Sequence, residues 1–374
     1  MAIVSLEASV KTERSPRLTG IDILRGVALL GVAIMHSGSS APTTGWAREL
    51  QHFSGFAVPF FLATSFYLAS SKFYTTSTPY PFRSRLPRLF IPYTAWVLIY
   101  VLFACVKYWV SGRFGDLGEI FQDPISIIFF GGPGYHLYFI PLLLTGTFLL
   151  KGAEWLAKHN LQLSGLSLLI ALSTFAYQVI LITGNGFELG TNWAFQPLFF
   201  GLGVDVHSFP LLRVSSVAIA WIFRILPYIL IALLLQYPLL RKHLQKLDNT
   251  HSRIIIIILF FIVNGLGDLI LPEAVHELAR GWLALMVGIS LSTLFAENAL
   301  IKNLGLCSFG IYLTHLIWVE IFKTVLGSIY PDLLTHVSVQ TLFLFASPAW
   351  ITSWITTAFL IKQKGIMSKL FFGI

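Results

Sequence analysis

The sequence is poor in charge. Only 11% of its 374 residues are Asp, Glu, Lys or Arg, whereas 56% are hydrophobic, and the mean hydropathy is +0.76. Soluble domains carry about 25% charged residues. Too little polar surface is present to solvate a globule, so lipid must cover much of it. Cysteine is nearly absent as well. Cys105 and Cys307 are the only two, both in apolar runs, which leaves no disulfide framework and no cysteine metal-ligand spacing. No glycine-rich nucleotide loop of either common kind occurs, nor any internal repeat or low-complexity linker. The net charge of +8 does not point to nucleic acid, because the basic residues gather between apolar runs as they do on one side of a bilayer.

What is present is a series of apolar runs, each near the roughly 20 residues that a membrane-spanning helix needs. Ten are expected, over 18–37, 52–71, 89–110, 135–150, 162–182, 217–240, 254–271, 278–296, 304–326 and 337–361. The first is read as a retained helix, since no small-residue cleavage site follows it. Two further stretches, 125–134 and 193–209, are apolar but short and are expected to be re-entrant or interfacial. Lys72, Arg83, Arg85, Arg88, Lys151, Lys158, Arg241, Lys242, Arg253 and Lys302 fall in alternate loops, while the intervening loops hold only Arg48, Arg113 and Arg213. The positive-inside rule then places both termini in the cytoplasm. The expected protein is an all-α, polytopic membrane helix bundle forming one domain over 1–374, with cytoplasmic tails at 1–17 and 362–374.

Within this apolar frame a few residues are out of place. The stretch "IDILRGVALLGVAIMHSG" carries Asp22, Arg25 and His36 inside a run that should shun them. A charge at mid-bilayer costs a few kcal/mol even on the lenient insertion scale (about 2.5–3.5), so such residues usually face a bundle interior and serve function. Arg25 and His36 are eleven residues apart, close to three turns, and so share a face about 16 Å apart along the axis. Asp22 can pair with Arg25 at i, i+3. An imidazole titrates near neutral pH and can take a proton from a hydroxyl, and a guanidinium can hold phosphate or carboxylate. That combination suits transfer of a group from a charged carrier to an acceptor hydroxyl. A hydrogen-bonded structural histidine is the plainer alternative.

Three other stretches offer chemistry beside a plainer reading. In "FRSRLPRLFIPY", Arg85 and Arg88, with Arg83 close by, form either a phosphate clamp or ordinary membrane anchoring. In "GGPGYHLYFIPLLL", His136, Tyr135 and Tyr138 stand near the expected outer interface, where an aromatic belt is the commoner role and stacking on a sugar the alternative. In "CSFGIYLTHLIWVE", His315 lies about mid-depth and either lines a cavity or satisfies a neighbouring helix, and the Ser308 hydroxyl is of a kind that often only glues helices. Lys107, Arg280 and Lys323 lie near expected helix ends and can snorkel to the interface, whereas Arg224 lies deeper. Trp46, Glu188, Asn192, Asp205 and His207 are polar or aromatic candidates for reading an acceptor, with no means of ranking them.

At these residues the sequence resembles the acyltransferase-3 family of integral membrane O-acyltransferases. "DILRGVALLGVAIMH" is similar to the family's first-helix Asp, Arg-Gly and His. "FAVPFFLATSFYL", "RSRLPR", "YHLYFIPLLL" and "SFGIYLTHLI" resemble its later motifs in order. Two positions depart from the pattern: Thr64-Ser65 stands where Ser-Gly is usual, and Tyr138 where Trp is commoner. The resemblance implies transfer of an acyl group, usually acetyl from acetyl-CoA, to a hydroxyl of a carbohydrate such as a surface polysaccharide or lipid-linked glycan. It also implies a bacterial inner (plasma) membrane setting and no metal. Carried onto this chain, His36 is the general base or acyl-relay residue, and Arg25 with Asp22 orders the donor. Arg85 and Arg88, with Arg83, contact donor phosphates, while His136, Tyr138, His315 and Ser308 line the acceptor side. The competing class is a secondary transporter or exporter using Asp22, Arg25 and Arg224, but the matched broken halves common in transporters are not seen.

Overall fold

The computed structural model describes residues 17–38, 43, 45–75, 79–159, 161–183, 195–204, 209–245, 249–363 and 365–374. Among them there is helix and no strand. This follows from the solvent: in lipid each backbone N–H and C=O must be satisfied within its own segment or by neighbours, and a helix does this alone.

Ten helices are long and apolar enough to cross a bilayer. They contain α1 (Thr19–His36), α2 (Ala57–Thr75), α3 (Phe82–Val110), α4 (Phe139–Lys158), α5 (Leu163–Ile182), α6 (Pro210–Leu234), α7 (Thr250–Leu266), α8 (Glu273–Leu291), α9 (Ala299–Ile329) and α10 (Val339–Lys362). A short helix, Gly45–Ser54, leads into α2. An even number of crossings returns the chain to the face where it began, called here the terminal face. α1 is central, packed against α2, α8, α9 and α10. α5 and α7 are peripheral and turn Leu168, Leu172 and Phe175, and Ile255, Ile258 and Ile262, outward.

The helix ends depart from expectation where charges are paired. The sixth helix begins at Pro210 and stops at Leu234, with Pro238–Gln245 a separate short helix. Arg213, expected in a loop, is buried in α6 with Nη2 2.5 Å from Asp123. Arg253, also expected in a loop, is buried in α7 and donates from Nε to the Ser290 carbonyl at 3.1 Å. The eighth helix begins at Glu273 and so includes Glu277, which was expected outside it. Lys107 and Lys323 have partners. Their amines lie 2.5 and 3.5 Å from the two oxygens of Glu320, and Lys323 also donates to the Gly38 carbonyl at 2.6 Å.

The short apolar stretches differ from one another. Ser126–Phe130 is a helical turn that enters the bundle, with Phe130 buried against Trp221 and Ile128 accepting from the Tyr93 hydroxyl. Gln196–Gly201 is a short helix in which Phe200 is exposed, as is Leu202 just after it; residues 193, 194 and 205–208 of this stretch lie outside the described residues. The 362–374 stretch does not hang free. Its helix Ile366–Phe372 packs on the start of α3, where Trp96 Nε1 donates to the Phe371 carbonyl at 2.9 Å. Residues 1–16 lie outside the described residues.

Candidate active site

Three histidines from distant parts of the sequence meet inside the bundle. His36 is the last residue of α1, His136 sits on the tight turn Tyr135–Tyr138 that precedes α4, and His315 is midway along α9. Ring centres are 5.4 Å apart for His36 and His315, 4.9 Å for His136 and His315, and 6.2 Å for His36 and His136. His136 and His315 are only 3% and 1% exposed, so the interfacial belt expected for His136 is replaced by a place in the interior.

The local sequence explains how His136 gets there. Gly131 adopts φ +93°, a left-handed conformation that favours glycine, and turns the chain after Phe130. A Cβ on Gly134 would lie 2.8 Å from the Tyr100 ring, so only glycine lets the turn approach α3 this closely. Tyr100 and Tyr312 then stand edge-on to the His136 ring, with centres at 4.9 and 5.4 Å. The Tyr312 hydroxyl donates to the His136 carbonyl, and the Tyr100 hydroxyl donates to the Leu313 carbonyl at 2.8 Å. Neither tyrosine was singled out from sequence. The glycines of "GGPG" were the available signal that something must pack tightly there.

Hydrogen bonding sets what the rings can do. His315 Nδ1 lies 2.6 Å from the Tyr312 carbonyl, an acceptor only, so Nδ1 carries the proton and Nε2 keeps a lone pair. That Nε2 and both ring nitrogens of His136 are buried with no hydrogen-bond partner. A buried polar atom without a partner costs roughly 1–3 kcal/mol, and such clusters are where a ligand hydroxyl or carbonyl would be bound. His36 Nδ1 lies 2.9 Å from the Tyr135 hydroxyl. No group of three or more His, Cys, Asp or Glu among the described residues is arranged to hold a metal ion.

Asp22 and Arg25 pair as their spacing requires, at 3.1 Å. A second guanidinium, Arg17, binds the same carboxylate at 2.6 Å and reaches the Lys302 carbonyl at 3.3 Å. Arg17 falls in the stretch expected to be a cytoplasmic tail. It helps fasten the start of α1 to that of α9, where Gly305 lies directly against the Asp22 carboxylate. Between Arg25 and His36, Leu29 and Ala33 are buried at 1% and 0% exposure. The face that Arg25 and His36 share is therefore packed between them by neighbouring helices.

The other candidates are dispersed. Arg85 donates to the Tyr80 hydroxyl and lies over its ring, while Arg83 and Arg88 are exposed at the terminal face. From Arg85 to Tyr100 is fifteen residues along α3, about 22 Å, so these arginines do not touch the histidines. The Ser308 hydroxyl donates to the Gly305 carbonyl of its own helix at 2.9 Å, two turns from His315. Tyr138 closes the turn that carries His136. Arg224 is held by Glu277 through two bonds of 3.1 and 3.2 Å, and Tyr177 and Tyr228 donate to the same carboxylate at 2.6 and 3.1 Å. Trp46 is exposed; Glu188, Asn192, Asp205 and His207 lie outside the described residues.

Comparison with known proteins gives one result. The family described as "Acyltransferase domain", acyltransferase-3, matches residues 18–360. No curated protein and no solved structure matches the chain. The match runs from the residue before α1 to within two residues of the end of α10, so it takes in all three histidines, and the chain belongs to the acyltransferase-3 family of membrane proteins.

Proposed function

We propose that the protein transfers an acyl group, acetyl from acetyl-CoA, to a hydroxyl of a carbohydrate such as a surface polysaccharide or lipid-linked glycan, in a bacterial inner membrane. The observation that carries this reading is the meeting of half-buried His36 with buried His136 and His315, whose ring nitrogens, His315 Nδ1 excepted, have no hydrogen-bond partner. It is supported by family membership, and by the basic residues of the terminal face, which mark that face as cytoplasmic.

Acyl-CoA supplies an activated carbonyl carbon and a phosphate-bearing handle. The exposed Arg83 and Arg88, with Arg85 beside them, suit the phosphates, and the length of α3 between them and Tyr100 is spanned by the donor's long arm. Arg25, paired with the Asp22 that Arg17 also binds, orders the donor from α1. His36 accepts the proton of the acceptor hydroxyl while the hydroxyl oxygen bonds to the acyl carbon and the carbon–sulfur bond breaks. It then returns the proton to the departing thiolate. Tyr135 orients the His36 ring, and His315 Nε2 and His136 take the polar atoms of the reacting groups in a dry site, where such contacts are strongest.

The test is transfer from isotopically labelled acetyl-CoA to extracted surface glycans, followed by mass spectrometry. His36→Ala is expected to lower the rate by about 10²–10⁴-fold, the usual share of a general base, and Tyr135→Phe about tenfold. Undiminished transfer by His36→Ala would remove the assignment. In the transporter alternative Arg224 should be able to change partners, whereas here it is locked to Glu277.

A further inference from the structure

A cavity of about 650 Å³ opens at the terminal face, away from the histidines. Its walls are the end of α2, the end of α4, the start of α5, the end of α6 and the short helix Pro238–Gln245. No residue of α1, α3 or α9 lines it, so it shares nothing with the arginines of α3 or with the helices that carry His36 and His315. The volume lies in the range of ordinary small-molecule sites, roughly 300–1,000 Å³.

Its chemistry is two-sided. Arg241 and Lys242 stand together on the rim, and neither forms a salt bridge with a described residue. Below them Gln236 is 4% exposed; its amide nitrogen, though close to the Tyr67 hydroxyl, makes no satisfactory hydrogen bond. Deeper, Leu166 and Leu233 supply apolar walls. Two neighbouring cations and a buried amide donor above a hydrocarbon-lined recess match an anionic headgroup carrying an acyl chain. The location favours a bilayer lipid over a soluble anion, because α5 beside the cavity turns Leu168, Leu169 and Leu172 outward. Basic pockets between spanning helices on the cytoplasmic side recognise anionic headgroups in this way.

We infer that this cavity is a binding site for an anionic phospholipid, with Arg241, Lys242 and Gln236 on the headgroup phosphate and the leucine walls on the chain. The site is separate from the acyl-transfer centre, so the failure of either reading leaves the other standing.

The experiment is native mass spectrometry of the delipidated full chain, titrated with dioleoyl-phosphatidylglycerol or dioleoyl-phosphatidylcholine. The wild type is expected to hold phosphatidylglycerol about tenfold more tightly. Arg241→Gln with Lys242→Gln is expected to abolish that preference. Ala157→Phe, which fills the cavity and spares both cations, is expected to abolish it independently, so the test survives poor folding of either variant. Equal retention of the two lipids, a preference that persists in the folded variants, or displacement of phosphatidylglycerol by inorganic phosphate or coenzyme A would overturn the proposal.

Discussion

Glu277 shows how one residue can hold a charge inside a membrane. Its carboxylate takes four hydrogen bonds, two from the Arg224 guanidinium and one each from Tyr177 and Tyr228, and both charged residues are less than 10% exposed. Taking one partner of a buried ion pair away costs about 3–5 kcal/mol, while replacing both by apolar residues is often neutral. Glu277→Leu is therefore expected to lower the melting temperature in detergent steeply. Arg224→Leu with Glu277→Leu is expected to recover most of the loss. If the double variant melts as low as the single one, the pair has a role beyond neutralising itself. Hydropathy registers Arg224 as an anomaly because it scores charge. It cannot register the remedy, since Glu277 belongs to a helix far along the chain.

At the scale of the element, the turn before α4 decides where an imidazole stands. Gly134 admits Tyr100, and Tyr100 is fixed in turn by its bond to Leu313. A methyl group at Gly134 must push that ring aside, an overpacking cost of about 1–3 kcal/mol, and with it the face against which His136 rests. Gly134→Ala is expected to reduce acyl transfer more than it reduces stability, compared by rate assay and thermal melting. Gly152→Ala, where a Cβ meets open space, is expected to change neither. Much of this was legible beforehand as parts. Glycines, an aromatic pair and a histidine stood in one short stretch, and His36 and His315 were picked out on their own helices. Their meeting was not legible, because a 3.6-residue period relates positions only within one helix. For the same reason the pairing of Asp22 with Arg25 was legible from their spacing within α1, whereas the approach of Gly305 of α9 to that carboxylate was not.

For the molecule as a whole, the ten crossings were visible in the apolar runs alone, since length and scarcity of charge are local properties. The helix ends shifted by several residues where Arg213, Arg253 and Glu277 found partners, because a paired charge is admitted to a helix that an unpaired one would terminate. The orientation rests on the basic residues at the terminal face. It predicts that, in a variant with Cys105 and Cys307 replaced by alanine, Ser111→Cys reacts with an impermeant maleimide on intact cells, whereas Ser84→Cys reacts only after permeabilisation. Both positions are exposed at opposite ends of α3. The reverse pattern would turn the protein over in the membrane.

The three imidazoles also set a condition on biosynthesis. They come from the first, fourth and ninth spanning segments, and the amine of Lys323 binds the Gly38 carbonyl only once the ninth lies beside the first. A ribosome must therefore deliver the chain past His315 before the three-histidine cluster can form. A polypeptide released before that point carries His36 and His136 without the third ring that both meet in the folded chain.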